Sequence, residues 1–154
     1  MNFNYTHAIV CKSVPDSIKD GLSINEHEDV DVIKAREEHR LYLECLKNIG
    51  LKLIEIEGRE EYPDCVFVED CVIIIEKRAF ITNPGAMSRR GEVQNIRKKL
   101  EEFALINPNE IIEVGSVKNL NESFIDGGDC CFTGRELLVG LSSRTNNNGL
   151  FTLN

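Results

Sequence analysis

The chain is read as an α/β fold built from repeated ββαβ units, and three observations lead there. Segments with strand alternation follow segments with helix periodicity along the sequence. The strands come in pairs joined by short turn-forming stretches. Most tellingly, GGDCCFTGRELLVGLSSRT from Gly127 to Thr145 parallels VEDCVIIIEKRAFITNPGAMSRR from Val68 to Arg90, with an acidic residue, strand, hairpin, strand, serine and arginine in the same order. The offset is 59 residues between Asp70 and Asp129 and 55 between Arg89 and Arg144. A unit of that size fits blades arranged around an axis, with corresponding loops meeting at the centre.

The first strand is Thr6 to Cys11, followed by a long polar loop from Pro15 to Glu28 that contains Gly21, Leu22 and His27 and has the make-up of a lid. From Asp31 the residues Val32, Ala35, Tyr42, Leu46 and Ile49 recur at helical spacing, with His39 completing the stripe and Gly50 ending the helix. A histidine on such a face is read as packed and hydrogen-bonded. Leu51 to Ile56 alternates as a strand. Cys71 to Ile75 is a further strand, whose unbroken run of apolar residues predicts burial on both faces. Glu76 to Arg78 turns the chain into Ala79 to Thr82, which Asn83, Pro84 and Gly85 stop. A second helix begins near Ser88 with Val93, Ile96, Leu100 and Phe103 on one face, and Ile111 to Val114 returns as a strand. After Arg144 the third repeat should start a helix, but TNNNGLFTLN is expected to supply too few residues for one. The predicted organisation is one incomplete domain over residues 1–154, with units of about 1–57, 64–115 and 123–154, the third cut short.

Composition narrows the function. The 154 residues are 42% hydrophobic and 29% charged, as in a soluble globular domain. A net charge of -8 gives no basic footprint for nucleic acid or anionic lipid, and cationic or zwitterionic small ligands fit better. No stretch approaches the roughly 20 apolar residues of a membrane span, and the N-terminus lacks the pattern of a secretory leader, so a cytoplasmic protein is expected. The six cysteines form no C-x-x-C pair, and no histidine pair lies at ligand spacing, so neither a metal nor a cofactor is predicted. They are read as free thiols, mostly small core fillers.

The chemistry lies in DCVFVED, Asp64 to Asp70, and in SRR, Ser88 to Arg90. Clustered carboxylates receive a guanidinium or ammonium cation, and arginines receive a carboxylate by the same fork geometry reversed. Together they suit a zwitterion shaped like arginine. Strand alternation places Asp64 and Asp70 on one side and Glu69 on the other, unless a bulge intervenes. The alternative is a hydrated strand end in an acidic chain. Arg89 and Arg90 sit where a helix N-terminus normally attracts acids, which points either to a bound anion or to two arginines directed into water. The loop arrangement would bring Asp64, Glu69, Asp70, Arg89 and Arg144 into one funnel. IDGGD, Ile125 to Asp129, reads by itself as a turn between strands.

Through EDVDVIKAREEHRLY, PDCVFVED, ITNPGAMSRR, DGGD, FTGREL and VGLSSRTN, the chain resembles the dimethylarginine dimethylaminohydrolase family, in order from Thr6 to about Gly149. The resemblance implies a five-bladed β/α propeller of the pentein type, of which about two and a half units are present. It implies hydrolysis of asymmetric dimethylarginine or monomethylarginine to citrulline and dimethylamine or methylamine, by a cysteine thiolate attacking the guanidinium carbon. Asp64, Glu69 and Asp70 match substrate-binding acids, with Asp70 at the guanidinium. Arg89 and Arg144 match arginines for the α-carboxylate side, Leu22 matches a lid leucine, and Asp126 matches the acid that orients a catalytic histidine. That histidine and the nucleophilic cysteine would fall beyond Asn154, so this chain alone is expected to be inactive. The alternatives are a non-catalytic methylarginine-binding or interaction module, or a related arginine deiminase or amidinotransferase. Uncovered propeller edges predict self-association.

Overall fold

The computed structural model describes residues 5–23, 29–103, 106–114 and 123–153. The chain divides into two compact units, Asn2–Val68 and Glu69–Asn154. His27 lies outside the described residues.

In the first unit, strands β1 (His7–Cys11) and β2 (Lys52–Ile56) pair in parallel, with Ala8 opposite Leu53 and Val10 opposite Glu55. A parallel pair needs a crossover, and helix α1 (Val32–Asn48) supplies it. Asp31 caps the helix by accepting the Lys34 N–H at 3.0 Å. Gly50, at φ 93°, ends it in the left-handed region that favours glycine. The stripe that turns inward is Val32, Ala35, His39, Leu43 and Leu46, with Leu43 the buried one. Tyr42 and Ile49 were expected on this face, yet both are exposed, Ile49 at 72%. Leu43, about 100° further round the helix, falls within the inward arc of His39 and Leu46, and it has no hydroxyl to keep hydrated. His39 is half-buried, and its Nε2 donates to the Cys11 carbonyl at 2.7 Å, pinning α1 to β1. Within the expected polar loop, Asp16–Asp20 form a tight helical turn. The Glu60 carboxylate accepts the Asp16 and Ser17 N–H groups, both at 2.9 Å, which draws Glu60 below the usual carboxylate range.

The second unit contains two hairpins. Strands β3 (Val72–Ile75) and β4 (Arg78–Ile81) are antiparallel, joined through Glu76 at φ 53°, and β5 (Ile111–Glu113) adds parallel to β4. Helix α2 (Val93–Phe103) makes the crossover, so ββαβ order holds. Val93, Ile96 and Leu100 are buried as predicted, while Phe103 is exposed near the helix end. Burial of β3 on both faces is not observed: Ile73 is in the core and Ile74 is 42% exposed. Successive side chains take opposite faces of the hairpin, and one face remains open to solvent. The helix expected near Ser88 starts later, because Met87–Arg89 first form a separate tight turn.

Strands β6 (Cys130–Phe132) and β7 (Leu137–Val139) form the second hairpin. Each hairpin follows a tight helical turn, Val68–Cys71 in one case and Gly127–Asp129 in the other, so the repeat in sequence is a repeat in structure. The core joins Ile73, Val114 and Ile125, with Phe80, Leu137 and Val139 against them. The expected absence of a third helix is corrected: α3 (Asn147–Phe151) forms. Asn146 makes it possible, since its Oδ1 accepts the Gly149 N–H at 2.8 Å. Gly149 is required there, because a Cβ would stand 2.2 Å from the Phe124 carbonyl oxygen.

The fold is α/β, with three small sheets among the described residues, β1-β2, β3-β4-β5 and β6-β7. No closed sheet is formed among the described residues. Among them, no helix is long and apolar enough to cross a membrane.

Candidate functional site

The strand alternation expected for Asp64, Glu69 and Asp70 does not apply, because none of the three lies in a strand. Residues 63–66 form turns, and Glu69 and Asp70 belong to the tight helical turn Val68–Cys71. Asp64 is buried in the first unit and accepts the Leu22 N–H, at 3.0 Å on Oδ1 and 3.3 Å on Oδ2. Gly21 permits the approach, since a Cβ would lie 2.9 Å from Asp64 Oδ1. The predicted lid residue and the first predicted acid are therefore joined through the backbone, and the Leu22 side chain stays exposed. Glu69 is exposed, and its carbonyl lies against Gly127, where a Cβ would come within 2.0 Å.

In the second unit, Asp70 and Arg89 meet directly, through Asp70 Oδ2 and Arg89 Nη1. Arg89 is 1% exposed, so neither of the alternatives drawn from the sequence describes it. It neither faces water nor leads α2. It lies in the turn before the helix, and its other edge is held by Glu92: Nε donates to Oε1 at 3.1 Å and Nη2 donates to Oε2 at 2.8 Å. Burial works against the guanidinium charge, but Glu92 and then Asp70 outweigh it, and Arg89 is held more firmly cationic than a free arginine. Arg90 donates from Nε to the Pro84 carbonyl at 3.0 Å and is only half-buried.

Asp70 is fixed on its other oxygen as well. Oδ1 accepts the Gly128 N–H at 3.1 Å, and a Cβ on Gly128 would be 2.4 Å from that oxygen. Glycine at 128 is thus the condition for backbone recognition of Asp70. The Asp70 carbonyl accepts the Thr82 hydroxyl at 2.6 Å. A carboxylate has about four lone-pair sites, so these contacts orient Asp70 and leave acceptor capacity.

Asp126 is buried beside this group. Its Oδ1 accepts the Gly85 N–H at 2.9 Å, its Oδ2 lies 3.7 Å from Arg144 Nη1, and its own N–H donates to Thr145 Oγ1 at 3.0 Å. Burial pushes its carboxyl above the ordinary aspartate value; the Gly85 N–H opposes this, Asp70 adds to it, and Arg144 and Arg89 oppose it. The segment carrying Arg144 is shaped by Asp129, whose Oδ2 accepts the Ser142 and Thr145 hydroxyls at 2.7 and 2.6 Å. IDGGD is therefore a turn whose acids also hold other chain segments.

Asp70, Arg89, Asp126 and Arg144 form one electrostatic neighbourhood, in which opposite charges alternate. Asp64 and Leu22 form a separate contact in the first unit. Glu92 was not singled out from the sequence; the signal available was its spacing of three from Arg89, which places the two side chains side by side.

None of the six cysteines is joined in a disulfide. Cys11 is pushed well above the ordinary thiol value by its hydrogen bond with Cys65 and by burial. Cys71 is pushed up by burial and Glu92, and Cys130 is pushed up to about 11 by burial, Asp129 and Asp126. Cys45 and Cys131 are exposed, contrary to the core-filler reading. Among the described residues, no group of three histidine, cysteine or acidic side chains is placed to hold a metal ion.

Residues 12–153 match the family model described as N,N dimethylarginine dimethylhydrolase, eukaryotic. The chain is similar to N(G),N(G)-dimethylarginine dimethylaminohydrolase of Pseudomonas aeruginosa, 33% identical over 141 residues that cover 92% of this chain and 52% of the relative. It is similar to the protein of the same name from Streptomyces coelicolor, 34% identical over 125 residues, 81% of this chain and 45% of the relative. A solved structure of a cysteine-to-serine mutant of the Pseudomonas aeruginosa protein complexed with citrulline superposes with a TM-score of 0.87 at 31% identity, covering 98% of this chain and 56% of that one. The chain spans about half the length of the curated relatives it matches.

Proposed function

This chain belongs to the N,N dimethylarginine dimethylhydrolase family, and on that premise we propose that it binds and orients methylated arginine for hydrolysis to citrulline and a methylamine. The observation that carries this reading is Asp70: a carboxylate oriented by Arg89 and the Gly128 N–H, with acceptor sites to spare for a guanidinium.

In this reading Asp70 takes the guanidinium, with Asp64 and Glu69 as further substrate-binding acids. Arg144 takes the carboxylate end, since its side chain is partly exposed and its contact with Asp126 is long at 3.7 Å. Arg89 acts at the guanidinium end instead, through the placement of Asp70, because its own donors engage Asp70 and Glu92. Leu22 covers the ligand, its loop held by Asp64. Asp126 orients the histidine that the family's reaction requires. The three sheets are successive blades of a β/α propeller, and the chain self-associates along their free edges, where Leu138 and Leu141 are exposed apolar side chains.

The reaction needs a thiolate held against the guanidinium carbon. The Cys11, Cys71 and Cys130 thiols are all shifted away from ionisation, so the acids and arginines named above bind and orient the ligand, with attack by a cysteine other than these three.

Calorimetric titration with N-methylarginine tests the reading, with Asp70→Asn beside the parent. Saturable binding that Asp70→Asn weakens on the order of tenfold is expected for a charge-assisted contact. Absence of binding by the parent overturns the proposal.

A further inference from the structure

Glu92 has no ligand role in the reading above, yet it is 5% exposed and both its oxygens engage Arg89. It takes Nε and Nη2, the one edge of the guanidinium able to close as a fork on a carboxylate from that side, and leaves Nη1 for Asp70. The Cys71 thiol completes its shell, donating to Oε2 at 3.5 Å. One buried cation is thereby placed between a buried carboxylate, Glu92, and a partly exposed one, Asp70, and the three together keep a net negative charge.

That surplus matters because charges in a partly dehydrated site interact more strongly than in water. Were Glu92 neutral, Arg89 would be free to engage Asp70 with its full fork, and Asp70 would be balanced before any ligand arrived. We infer that Glu92 is a positioning residue for cation recognition: by holding the far edge of Arg89, it leaves Asp70 oriented but electrostatically unsatisfied, ready for a second guanidinium. The inference rests on the proposed binding of methylated arginine at Asp70 and adds the residue that sets its preference for a cation over a neutral molecule of similar shape.

The test compares N-methylarginine, a cation, with citrulline, its neutral counterpart, by calorimetry on the parent, Glu92→Gln and Glu92→Asp. Glu92→Gln should lose on the order of tenfold in methylarginine affinity while citrulline affinity stays within about twofold, since only the charge balance has changed. Glu92→Asp, which keeps the charge, should retain the parent's preference and carries the test alone if Glu92→Gln does not fold. Equal loss for both ligands would mark Glu92 as merely structural and overturn the inference, as would a Glu92→Asp protein that folds and loses the preference. A parent that binds neither ligand overturns the functional reading and this inference together, which separates that failure from the others.

Discussion

Asp64 holds the backbone of Leu22 with both carboxylate oxygens, at 3.0 and 3.3 Å. A buried carboxylate is here the anchor of a surface loop. Asp64→Ala should release residues 21–23 and leave the Leu22 N–H without this acceptor, at a cost of about 1–3 kcal/mol. Limited proteolysis should show faster cleavage near Leu22 than in the parent, and unchanged cleavage would contradict the anchoring.

Arg89 stands between the buried Glu92 and the partly exposed Asp70, so its removal leaves both uncompensated, Glu92 in the core. Arg89→Ala should cost about 3–5 kcal/mol in urea unfolding. Arg89→Lys should restore only part of this, since an ammonium cannot form the two-edged contact with Glu92 and Asp70. Equal stability of Arg89→Ala and the parent would refute the burial described for this group.

Gly128→Ala tests the clearance around Asp70. The added Cβ would lie 2.4 Å from Asp70 Oδ1, which must rotate away from the Gly128 N–H. Overpacking of this kind costs about 1–3 kcal/mol, and methylarginine affinity should fall with it, whereas Gly50→Ala, at a positive-φ helix end with nothing within 4 Å of the added Cβ, should affect stability alone. The two variants are separated by calorimetry beside thermal unfolding.

Asp126 gives a signed dependence on pH. Burial raises its carboxyl in the folded chain, so the native state holds the proton more tightly than the unfolded state. Its contribution to stability is therefore fully present below the unfolded aspartate value of about 3.9 and is lost as pH rises through the folded value. Asp126→Asn removes that contribution, so the difference between variant and parent should shift with pH in this window. Urea melts in steps upward from acid pH read it, and a difference independent of pH would exclude the linkage.

Thiol reactivity checks the burial pattern with one reagent. Cys45 and Cys131 are exposed and should react promptly with an aromatic disulfide, while Cys11 and Cys71, buried and shifted away from ionisation, should react only after denaturation. Fast modification of Cys71 in the native chain would contradict its place against Glu92.

The alternation of strands and helices was legible because period and punctuation are local: Asp31 and Gly50 bracket α1, and the hairpins fall where the repeat puts them. What escaped was set by tertiary context. Tyr42 and Leu43 are neighbours of similar apolar character, and only the packed structure chooses Leu43. α3 depends on Asn146 meeting Phe124, a contact between residues 22 positions apart. For the site, the residue types were legible but not their pairing. Asp70 and Arg89 were assigned to opposite ends of a ligand, whereas they touch each other, because the tight turn at Met87–Arg89 folds the arginine inward. Glu92 escaped because a glutamate just ahead of a helix is ordinary, and nothing local says that it is dry.

The two oxygens of Asp70 serve different stretches of chain, one reaching Arg89 and the other the Gly128 amide. The reach of one short acidic side chain thus sets the gauge between the first repeat and the next. A glutamate at 70 would have the same charge and the wrong length, so the position selects for geometry as strictly as for sign.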